Sequence, residues 1–133
     1  MKKITLLIGI TVCVIMLISC GDGVIGSESN STINHIEWSL DSNGYVVTNS
    51  GLKATGTITN VGDTTILAPW YVEAEFYEDS TFSFILGGDQ QYHDVNLYVN
   101  VGRPWTLEFS SSDIVESNYT DFAIKNFRAF IKK

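Results

Sequence analysis

From Ile33 onward the apolar residues of this chain recur at every second position. That period puts alternate side chains on opposite faces of a strand, whereas an amphipathic helix needs a repeat near 3.6. Ile36, Trp38 and Leu40 alternate with Glu37 and Ser39, and Leu52, Ala54, Gly56 and Ile58 share a face against Lys53, Thr55, Thr57 and Thr59. The cleanest case is Trp70, Val72, Ala74 and Phe76 set against Tyr71, Glu73, Glu75 and Tyr77, with Pro69 at the start, where a strand tolerates proline. Phe82, Phe84 and Leu86 suggest a further strand, then Val95, Leu97, Val99 and Val101, then Trp105, Leu107 and Phe109. In the last strand Phe122 and Ile124 are one residue out of step with Phe127, Ala129 and Ile131, which calls for a bulge near Lys125-Asn126.

Turn signals separate these runs. Asp41-Ser42-Asn43-Gly44 reads as a hairpin turn, because Asn-Gly tolerates the positive φ such turns need. Asn60-Val61-Gly62-Asp63, Gly87-Gly88-Asp89 and Gly102-Arg103-Pro104 read as the others, and a single helical turn fits residues 113–117. Seven or eight short strands in about 100 residues predict an all-β fold, an antiparallel immunoglobulin-like β-sandwich. The chain of 133 residues, 44% hydrophobic and 12% aromatic, holds one such domain, expected over residues 33–133.

The N-terminus has a different logic. Lys2-Lys3 followed by the uncharged run Ile4 to Ile18 has the length of a signal peptide and is short for a membrane span. It ends in Leu17-Ile18-Ser19-Cys20, which looks like a bacterial lipobox: branched apolar residues, a small residue before the scissile bond, then the cysteine that takes the lipid. Cys13 competes poorly, since it follows the bulky Val12 in mid-run. We therefore expect a signal peptide over residues 1–19, lipidation at Cys20, and a tether over 20–32. The tether is rich in Gly, Ser and Asn and would span roughly 20 Å root-mean-square. Gly21, Gly23 and Gly26 match the G-x-G-x-x-G spacing of a dinucleotide turn, but they lack the preceding strand and following helix that such a turn requires.

Cleavage would remove Lys2 and Lys3 from eight basic residues and leave fifteen acidic ones, a formal charge of about −9. Such a chain is poorly suited to neutralising phosphates, so nucleic acid is not an expected partner. The mature form would hold no cysteine besides Cys20 and thus no internal disulfide.

The segments Ala54-Thr55-Gly56-Thr57-Ile58-Thr59-Asn60-Val61-Gly62 and Val72 to Asp79 resemble the FxLYD-type domains of bacterial envelope lipoproteins. Asn60 and Gly62 match that family's "G-x-V-x-N-x-G" and Phe76-Tyr77 its Phe-Tyr-Asp strand end, with Glu78 in place of the aspartate and proline after rather than before the glycine in Gly102-Arg103-Pro104. The resemblance implies an immunoglobulin-like sandwich on a lipid anchor and no catalytic residues.

Residue chemistry points the same way. His35 and His93 have no Cys or His at metal-ligand spacing, and Asp41-Ser42-Asn43-Gly44 lacks the glutamate that a calcium loop carries at its twelfth position, which here is Leu52. No cofactor and no catalytic set are expected. The expected function is a membrane-anchored envelope protein, facing the periplasm or the cell exterior, whose domain binds a protein or glycan through Tyr71, Glu73, Glu75 and Tyr77, with Tyr92 and Tyr98 nearby, or through an exposed edge strand. Two alternatives stay open: a small-ligand or metal carrier built on His93 and nearby carboxylates such as Asp94, and a glycan hydrolase using Glu73 and Glu75, about 7 Å apart by strand geometry.

Overall fold

The computed structural model describes residues 30–112 and 118–133. The expected signal peptide, Cys20, most of the tether and the helical turn over 113–117 lie outside the described residues. Seven strands form two antiparallel sheets: β1 (Ser31–Ile33), β2 (Ile36–Thr48), β3 (Gly51–Asn60), β4 (Trp70–Tyr77), β5 (Ile85–His93), β6 (Gly102–Ser110) and β7 (Ala123–Ile131). One sheet runs β1-β7-β4-β5 and the other β2-β3-β6. In the lettering of the immunoglobulin plan, β2, β3 and β6 pair as A, B and E, and β4 with β7 as C with F. β1 takes the flank of β7, and β5 lies outside β4.

The alternation places the core as expected for β3 and β4. Leu52, Ala54 and Ile58 face Val72, Ala74 and Phe76 across the sandwich, joined by Trp70, Trp105, Leu107, Leu97, Phe122 and Ile124. The phase slip in β7 is a bulge: Glu73 pairs with Arg128 but Glu75 with Lys125, so Ala74 opposes both Asn126 and Phe127. Asn126 takes up the extra residue at φ 57°.

Several expectations are corrected. Asp41 to Gly44 make no hairpin turn. They bulge from one continuous strand β2, between the pairs Leu40–Gly56 and Tyr45–Ala54, and the chain reverses instead at Asn49-Ser50. Gly44 is buried in that bulge, where a Cβ would lie 2.7 Å from the Thr55 carbonyl oxygen. Gly87 and Gly88 do not end a strand; they sit inside β5, paired with Phe76 and Glu75, and Gly87 leaves the room that the Phe109 ring fills. Phe82 and Phe84 precede that strand, Phe82 at φ 56°.

Val95 to Val101 form no strand. They make a loop pinned by two isolated bridges, Asn60–Val99 and Ile66–Leu97, with only Leu97 in the core. Gly102-Arg103-Pro104 is no turn but the start of β6, where Pro104 lies opposite Thr57. The first described strand starts at Ser31, with Ser31 and Thr32 paired to Ile131 and Phe130.

Candidate functional site

β4 is central in its sheet, so its outward side chains are flanked by β5 and β7. Tyr71, Glu73, Glu75 and Tyr77 share that outward face and are all half-buried by neighbours on it. Tyr71 stacks on Phe130 of β7, with centroids 5.4 Å apart, and meets the edge of Tyr92 of β5 at 5.4 Å. The Lys132 ammonium lies 4.4 Å from the Tyr71 ring. At the other end of the strand Tyr77 packs edge-on against Phe82, whose ring carries the Lys125 ammonium at 5.0 Å.

Both carboxylates are tied to this frame. Glu73 is ion-paired to the Arg128 guanidinium, and Arg128 also lies over the Phe130 ring. Glu75 accepts hydrogen bonds from the Tyr77 hydroxyl at 2.8 Å and from the Asn126 amide at 2.7 Å. These two bonds, the tyrosine's first, hold the Glu75 carboxyl below its ordinary pKa, and the same contact raises that of Tyr77. The bulge is what sets Asn126 beside Glu75, since an unbroken strand would leave one residue, not two, opposite Ala74.

A depression of about 590 Å³ opens at the bulge, over Gly88 and the Ala74 backbone and between Glu73, Glu75, Asn126 and Arg128. It offers fixed acceptors and donors side by side, with an aromatic ring at each end of the row. Such a surface can hydrogen-bond a hydroxyl-rich or peptide ligand and stack against it. Glu75 is shifted away from the raised pKa that a general acid needs.

The structure thus brings together all four expected face residues and Tyr92. It places Tyr98 elsewhere, in the loop before β6. It adds Phe130, Asn126 and Arg128. The phase slip in β7 marks Asn126 in the sequence; nothing in the alternation marks Phe130 as a buried residue of the outer face.

His93 is turned inward. Its ring stacks on Trp70 at 4.0 Å and 5° between planes, and its Nε2 is buried without a hydrogen-bond partner. Burial, then the Arg103 charge, lowers its pKa against the opposing pull of Asp94. Among the described residues no three His, Cys, Asp or Glu side chains are grouped to hold a metal ion.

The class defined by fold and face is a seven-stranded antiparallel β-sandwich with a polar, aromatic-ended patch on its four-stranded sheet. No family model, no curated protein and no solved structure matches the chain.

Proposed function

We propose that the chain is a lipid-anchored protein of the bacterial cell envelope whose sandwich is a non-catalytic interaction module, binding through Tyr71, Glu73, Glu75 and Tyr77. The observation that carries the binding face is its preorganisation: each of the four side chains is held by a named neighbour, and the two carboxylates between the tyrosines border an open depression. Groups fixed before binding lose little entropy on contact, which is how compact aromatic patches reach useful affinity. The lipobox-like Leu17 to Cys20 supports the anchor, and the FxLYD-like Asn60, Gly62, Phe76 and Tyr77 belong to the same reading.

The test is recovery of partners from crosslinked cells. Tyr71→Ala with Tyr77→Ala should reduce recovery several-fold, while Lys53→Ala, on β3 in the other sheet, should leave it unchanged. Equal recovery with and without the two tyrosines would remove this face from consideration.

A further inference from the structure

The end of the sandwich at which the tether arrives is also where exposed apolar side chains gather. β1 starts at Ser31 opposite Ile131, level with the start of β4, since Tyr71 also pairs with Phe130. The loops 61–69 and 94–101 close this same end. They are joined by the Ile66–Leu97 bridge, by the Ala68 N–H donating to Asn96 Oδ1 at 2.9 Å, and by the Trp70 indole N–H donating to the Val95 carbonyl at 2.9 Å. From these two loops Val61, Leu67, Val95, Tyr98 and Val101 point into solvent, Leu67 with 64% and Tyr98 with 53% of its surface exposed. Beside them a depression of about 370 Å³ is lined by Ile33, His35, Ile66, Leu67 and Ile131.

We propose that this end of the domain seats on the lipid surface in which Cys20 is anchored, with the two loops dipping into the headgroup region. The inference rests on the lipid-anchor reading and goes beyond it by fixing the domain's orientation. Ten residues separate Cys20 from Ser31, and a flexible linker of that length spans roughly 17 Å root-mean-square, which keeps this end of the domain nearest the anchor on average. Scattered aliphatic residues with a tyrosine suit the boundary between headgroups and acyl chains. Charge selects between the two ends of the sandwich.

The opposite end also exposes apolar residues, Phe84 and Ile85, but the described loops there carry Glu78, Asp79 and Asp121 and no lysine or arginine of their own, the Lys125 ammonium reaching Phe82 from β7. The tether end holds Glu37, Asp63 and Asp94 but also the exposed Lys132 and Lys133 and, at the start of β6, Arg103, so its charges balance. Bilayers bearing anionic lipid attract lysines near their surface and repel carboxylates. Seated in this way, the Tyr71 to Tyr77 row runs away from the membrane and stays open to a partner.

The test reconstitutes the full chain, matured in cells, into phosphatidylethanolamine–phosphatidylglycerol vesicles carrying a headgroup-region quencher. A fluorophore is attached at Leu67→Cys, Tyr98→Cys or Thr81→Cys, each a separate variant at an exposed position. Mass spectrometry of the same samples reads the state of Cys20. The proposal expects labels at 67 and 98, in two separate loops, to be quenched roughly threefold more than the label at 81, as residues lying in the interface should be. An acylated Cys20 with equal quenching at all three positions, or more at 81, would overturn the seating and leave the anchor standing. An unmodified Cys20 with the protein released from vesicles would overturn both.

Discussion

Asn60 and His93 are the buried polar residues of the described domain, and they solve burial in opposite ways. The Asn60 amide donates to the carbonyls of Thr64 at 2.8 Å and Leu97 at 3.0 Å and accepts from the Gly62 N–H at 2.9 Å. It therefore shapes its own turn and ties that turn to the loop before β6. Asn60→Ala forfeits all three bonds at about 1 kcal/mol each and strands two carbonyls, so a loss of about 3–4 kcal/mol is expected in urea unfolding. Asn60→Asp should be at least as damaging, because a carboxylate cannot donate to either carbonyl; a loss under about 1 kcal/mol for both variants would contradict this role.

His93 is instead kept neutral. Its folded pKa lies below its unfolded one, so the unfolded chain binds the proton more readily and stability rises with pH. The contribution is complete above the unfolded value near 6.5 and is lost as pH falls from there through the folded value. His93→Phe keeps a ring on Trp70 and removes the proton, so its urea midpoint should change less than the native one between about pH 7 and pH 5. A native midpoint that is flat over that interval would refute the assignment.

Strand edges show what a local pattern cannot say. β6 borders its sheet, and its unpaired amides face β5. Pro104 has no N–H to offer, the Thr106 N–H donates to Gln91 Oε1 at 2.7 Å, and the Glu108 N–H donates to Asp89 Oδ2 at 2.8 Å. The edge is thereby closed to another strand by one proline and two side chains. Asp89→Ala with Gln91→Ala should open it, costing about 1–2 kcal/mol and producing concentration-dependent self-association in sedimentation. A double variant that stays monomeric at all concentrations would show that the edge needs no such cover.

The alternation located β3, β4 and the bulge of β7 to within a residue or two. It misplaced three of the turns, because Asn-Gly and Gly-Gly serve a bulge or a close approach as well as a reversal. Gly56 shows the second use: the Trp105 ring crosses it where a Cβ would lie 2.5 Å from Cζ2. Which use applies is decided by the neighbouring strand.

For the whole molecule the central expectation is a covalent one. Wild-type chain should incorporate labelled palmitate and be trimmed at Ser19-Cys20. Cys20→Ser should abolish the label and accumulate as a larger precursor, because the same cysteine directs cleavage and receives the lipid, while Cys13→Ser should behave as wild type. Label retained in Cys20→Ser would sink the assignment. The sequence alone determined the fold class, since a period of two over 100 residues admits strands and excludes long helices; the expected leader, basic, then apolar, then ending in Cys20, rests on the sequence only, because such signals are read as linear chains.

Only the tertiary structure decided how the strands pair, which puts Tyr71 on Phe130, Asn126 beside Glu75 and His93 under Trp70. These contacts join residues 20 to 60 positions apart. Alternation fixes the face a side chain takes but carries no information about which strand lies next to it, and register follows from packing the two sheets together.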